Sequence, residues 1–99
     1  MPLKQEDGPA ELPPMTQPEA KAWVREVGTA LFGHHWVFSM AEATGINYRE
    51  LQRWASKGRA APSAAACRWI FDTIQPVIQE RLEGLQRLQV LVQTGRFPK

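Results

Sequence analysis

Between positions 37 and 56 the chain reads VFSMAEATGINYRELQRWAS, and this stretch constrains the fold more than any other. Its apolar residues recur at helical spacing on both sides of one glycine. Val37, Met40, Ala41 and Thr44 make the inner face of a short helix expected over about 36–44. Gly45 supplies the positive φ that a sharp turn needs at little steric cost. Ile46 then re-enters the core. Asn47 is a good N-cap for the next helix, expected over about 48–56, because its side chain can accept from an otherwise orphan backbone N–H. That helix turns Leu51, Trp54 and Ala55 inward and Arg49, Gln52, Arg53 and Ser56 outward. Two helices that cross over a tight turn need a small residue where their backbones approach, and Ala41 fills that place. The pattern predicts a helix-turn-helix over 37–56.

The flanking sequence predicts further helices and no strand. Residues 1–15 hold Pro2, Gly8, Pro9, Pro13 and Pro14 with few large apolar side chains. Such a segment cannot bury enough surface to offset its ordering entropy, so a flexible acidic arm is expected there. Thr16 followed by Glu19 is a capping-box pattern, and Pro18 sits in the first turn, where it costs no helical hydrogen bond. Ala20, Trp23, Val24, Val27 and Leu31 then form one stripe of a first helix reaching about Phe32, with Gly33 placed to end it in a left-handed cap. Gly58 is the expected stop of the third helix. Pro62 and Ser63 open a fourth, expected to run to about Ile74. Pro76 should break or kink the chain, leaving a last helix over about 76–94 that ends at Gly95. The expected architecture is all-α, with four or five helices. The expected divisions are 1–15 as the arm, 16–75 as the helix-turn-helix domain and 76–99 as a C-terminal helical element.

At 99 residues the chain makes one domain at most, and so small a core is marginal alone. Its single cysteine, Cys67, excludes an internal disulfide and fits a reducing compartment. The start MPLKQEDGPAELPP lacks the apolar run of a signal peptide, and no stretch approaches transmembrane length, so a cytoplasmic location is expected. The net charge of +2 hides an asymmetry. Residues 1–20 sum to −3, from Lys4 against Glu6, Asp7, Glu11 and Glu19. Residues 47–68 sum to +4, from Arg49, Arg53, Lys57, Arg59 and Arg68 against Glu50. Basic residues gathered on one segment are the electrostatic footprint of nucleic-acid binding.

The segment LFGHHWVFSMAEATGINYRELQRWASKGRAAP, residues 31–62, resembles small bacterial and phage helix-turn-helix regulators. The shared elements are a Leu-x-Gly-x-x-Trp lead-in, Ala-x-x-x-Gly, Arg-Trp closing the recognition helix, then Gly and Pro. The resemblance implies scaffold roles for Ala41, Gly45, Ile46, Leu51 and Trp54, and DNA contacts around Arg49 and Arg53. Thr44 and Met40 stand where leucine is usual in the pattern.

The expected function is sequence-specific binding of duplex DNA as a small transcriptional regulator, with the helix at about 48–56 in the major groove. Arg donates two hydrogen bonds to guanine and Gln pairs with adenine, so Arg49, Gln52 and Arg53, with Ser56 beside them, are the candidate base-reading residues. Asn47 and Tyr48 stand at the helix start, within reach of base edges or a phosphate. Lys57 and Arg59, in the following loop, suit phosphate. The bland alternative is that Arg49 and Arg53 only solubilise an exposed helix, with Glu50 pairing to Arg53. No cofactor, metal or catalytic residue is expected: His34 and His35 are adjacent and diverge on a helix, and zinc wants three or four convergent ligands. Either histidine is better read as an N-cap or a phosphate contact. Ile78, Leu82, Leu85, Gln89 and Val92 follow a near-heptad seam, widened by Leu88, Val90 and Leu91. This predicts a homodimer formed through 76–95. The alternative function is a helical adaptor, antitoxin-like or a phage assembly component, binding a protein partner.

Overall fold

The computed structural model describes residues 12–97, and among them the fold is all-helical. Four helices follow in order: α1 (Gln17–Phe32), α2 (Trp36–Thr44), α3 (Tyr48–Ala55) and α4 (Ala64–Thr94). The acidic arm expected over 1–15 lies outside the described residues for its first eleven positions. Of the rest, Leu12 and Met15 are half-buried against the start of α1. No helix among the described residues is long and apolar enough to cross a membrane.

The core takes one fully buried side chain from each helix: Val24, Met40, Leu51 and Ile70. Trp36, Trp54 and Ile74 close around them, and Trp23, Val27, Leu31, Val37, Ala41, Ile46 and Ile78 pack at the margin. These are the stripes that the helical periodicity marks. Each of the four central residues is costly to truncate, at about 2–5 kcal/mol for Leu→Ala at a site like Leu51.

The ends of the helices follow their local chemistry. Thr16 and Glu19 make the capping box, with both reciprocal hydrogen bonds present. Asn47 Oδ1 accepts from the Arg49 backbone N–H at 2.8 Å. Gly45 is left-handed (φ 78°, ψ 4°), and its N–H donates to Ala41 O at 2.8 Å. Gly33 differs from the expected left-handed cap. Its φ is 83° but its ψ is −162°, a region essentially open to glycine alone.

One boundary agrees with the sequence expectation and one differs. The third helix ends at Ala55, within one residue of the expected end at about 56, with Ser56 extended (φ −87°, ψ 171°) ahead of Gly58. It can stop there because its last carbonyls find other donors: Ser56 Oγ donates to Arg53 O, and Lys21 reaches Trp54 O. The expected break at Pro76 is absent, and α4 runs as one helix through it. Proline there removes one helical N–H and costs about 3 kcal/mol in a helix interior. Ile70 and Ile74 before it and Ile78 after it all pack on the core, which keeps both flanks helical.

Gly28 has a packing duty that the chain's periodicity does not reveal. It is buried in the middle of α1, and a Cβ built on it would run into the indole of Trp36. The backbone of α1 therefore lies directly against the ring that opens α2.

Candidate nucleic-acid interface

The third helix has only eight residues, and isolated helices this short are not stable in water. Its position is imposed from outside. Leu51 and Trp54 are buried against α1 and α2, and Asn47 caps its start. At its end the Lys21 ammonium, on α1, donates to Trp54 O at 2.9 Å, Ala60 O at 3.0 Å and Arg53 O at 3.5 Å. A cation at a helix C-terminus also meets the negative end of the helix dipole. Burial, and after it the nearby Arg25 guanidinium, pull the Lys21 pKa below its ordinary 10.5.

The turn before α3 is fixed with equal care. Thr44, at the end of α2, is buried, and its Oγ1 donates to Met40 O at 2.7 Å and accepts from the Ile46 N–H at 3.2 Å. The Trp69 indole N–H, on α4, donates to Thr44 O at 2.6 Å. Leucine at position 44 would fill space but leave the Ile46 N–H without this acceptor. α2, the three-residue turn and α3 are compatible with a helix-turn-helix.

With its inner face and both ends occupied, α3 turns Tyr48, Arg49, Gln52 and Arg53 to solvent, with Ser56 just beyond its last turn. Four of these residues were expected together on the outer face, and they are: Arg49, Gln52, Arg53 and Ser56 line one open depression of about 740 Å³, with Tyr48 and Ala55 beside them. The opposite wall is His34, His35, Val37 and Phe38. Asn47, Lys57 and Arg59 are exposed but lie outside this depression, at either end of the helix. The Asn47 Oδ1 is already engaged as the N-cap, which leaves its amide nitrogen for an external acceptor.

Arg53 makes an i,i+3 ion pair with Glu50 at 2.7 Å, the pairing that the solubilising alternative requires. Both partners are well exposed, and exposed pairs contribute about 0–1 kcal/mol. Redirecting Arg53 to a ligand therefore costs little. Gln52 Nε2 donates to the Tyr48 hydroxyl at 3.3 Å. His35 occupies the N-cap position of α2 but makes no side-chain cap bond, so it is not the side-chain cap considered from sequence. Cys67 is buried on α4 beside a different depression, and burial raises its thiol pKa above 9.0. No group of three or more His, Cys, Asp or Glu side chains among the described residues is placed to hold a metal ion.

Two participants escaped the sequence reading. Phe38 is exposed on the outer face of α2, where periodicity marks only a solvent position. Lys21 sits on α1 between stripe residues, and nothing local signals that it closes α3. Compared with protein-family models, with curated proteins and with solved structures, the chain matches none.

Proposed function

We propose that this chain is a small transcriptional regulator that binds duplex DNA sequence-specifically, with α3 in the major groove. The observation that carries the proposal is the division of labour on α3. Leu51 and Trp54 anchor it, while Arg49, Gln52, Arg53 and Ser56 share one exposed, concave and basic face. Arg49 and Arg53 donate in pairs to guanine O6 and N7, and Gln52 pairs with adenine N6 and N7. Lys57 and Arg59, in the loop that follows, neutralise phosphates, with Asn47 and Tyr48 at the other end of the helix.

The protein acts as a homodimer through residues 76–95. Beyond Ile78 the helix leaves the core, and Leu82, Leu85, Leu88 and Val92 are at least half exposed. That stripe supports a protein partner, and a second copy supplies the second half-site that small DNA-binding units need. The same stripe favours the runner-up reading, a helical adaptor for a different protein.

Selection of bound fragments from random duplex DNA separates the two. The regulator reading expects a recovered motif and an affinity that falls steeply as salt rises. Arg53→Ala and Arg49→Ala should each weaken the selected site by about 1–3 kcal/mol with little change in thermal stability. No enrichment and no salt-dependent duplex binding would leave the adaptor.

A further inference from the structure

Two exposed aromatic rings stand on the walls of the α2–α3 depression, and the hydrogen-bonding contacts proposed above do not use the ring of Phe38. Phe38, on α2, is 60% exposed, and Tyr48, in the first turn of α3, is 44% exposed. Their rings meet edge to face, with centroids 6.4 Å apart and an interplanar angle of 67°. The Tyr48 hydroxyl is in turn held by Gln52 Nε2. Phe38 is thus exposed yet oriented, because an edge-to-face partner favours one ring attitude over others. A lone exposed phenylalanine needs no explanation. This one is braced by a second ring and shares its depression with Arg49, Gln52 and Arg53.

The surroundings define the occupant. Two guanidinium groups draw a polyanion to this face, which disfavours an apolar peptide or a lipid chain. On the edges of base pairs in the major groove, the one apolar group is the C5 methyl of thymine. Resting on the DNA-binding reading, the geometry points to Phe38, oriented by Tyr48, as a specificity residue that packs on the C5 methyl group of a thymine beside the bases read by α3. It discriminates thymine from cytosine at that position without a hydrogen bond.

The test removes the methyl alone. Duplexes recovered from random DNA by the wild-type protein are resynthesised with deoxyuridine in place of one thymine at a time, and affinity is read by fluorescence anisotropy. At one thymine the wild type should lose about fourfold, the value of one buried methyl-sized group. Phe38→Ala should bind the thymine and uracil duplexes equally, and Phe38→Leu should retain part of the preference. Phe38 is exposed, so both variants keep the fold, which circular dichroism checks. If the wild type binds its selected duplex but no uracil substitution separates it from Phe38→Ala, this inference falls and DNA binding stands. If the wild type binds no duplex, both fall together.

Discussion

Replacing Gly28 with alanine should destabilise the protein, against the ordinary expectation for a glycine in the middle of a helix. Alanine is the better helix former by about 0.8–1.0 kcal/mol, so an unconstrained Gly→Ala change there is stabilising. At Gly28 the added Cβ overlaps three atoms of the Trp36 ring, and Trp36 is buried in the core. Overpacking of a close-packed core costs about 1–3 kcal/mol. A rigid ring in a buried position belongs at the upper end, so the net loss is about 2 kcal/mol once the propensity gain is subtracted. For a domain of this size that lowers Tm by about 8–16 °C. Gly84 is the internal control. It also sits inside a helix, but a Cβ there meets nothing within 4 Å. Gly84→Ala should therefore raise Tm by about 4–8 °C. Melting both variants by circular dichroism, at one low protein concentration, reads the two signs side by side. A Gly28→Ala protein that melts at or above the wild type would refute the close approach of α1 to Trp36.

Three other outcomes are expected. Trp69→Phe removes the donor to Thr44 O while keeping most of the ring, and should cost about 1 kcal/mol in urea titration; an unchanged midpoint means the indole does not hold the turn. Leu85→Glu places a charge on the exposed stripe of α4 and should convert a dimer to monomers in sedimentation equilibrium, with loss of two-site binding to half-sites about 34–36 Å apart; a wild type that is already monomeric ends the dimer proposal. Because burial holds the Cys67 pKa above 9.0, the unfolded chain ionises first as pH rises past 9.0, so stability falls there. Cys67→Ala should remove this contribution, making stability fall less steeply than in the wild type in urea titrations between about pH 8 and pH 10.

Much of the fold is legible because its interactions are local. The capping box at Thr16 and Glu19, the left-handed Gly45 and the Asn47 cap each involve residues within four positions of one another. The buried stripes follow from a single period. What escaped depends on tertiary contact. Pro76 breaks a helix by local rules, yet Ile70, Ile74 and Ile78 are held by the core on both sides of it. Gly28 looks like a weak point in α1 until Trp36 is placed against it. The candidate site divides in the same way. Arg49, Gln52, Arg53 and Ser56 share a face by helix geometry alone, whereas Phe38 and the two histidines join them only once α2 is set beside α3.

The anchoring of α3 explains how so short a helix can carry a recognition surface. Eight residues cannot sustain a helix by propensity, so the position of α3 must come from its neighbours. Each neighbour contributes at a different point. α4 pins the turn through Trp69, α1 closes the far end through Lys21, and Leu51 and Trp54 fill the space between α1 and α2. None of these contacts uses the outward side chains of Arg49, Gln52 or Arg53. Those side chains are therefore free to change with the ligand at little cost to the fold, while the anchors are not. A binding face that varies over a frame that cannot is the arrangement a sequence-reading helix needs. It also predicts where the two kinds of damage separate: outward substitutions should change which duplex is bound, and anchor substitutions should change whether the helix is present to bind it.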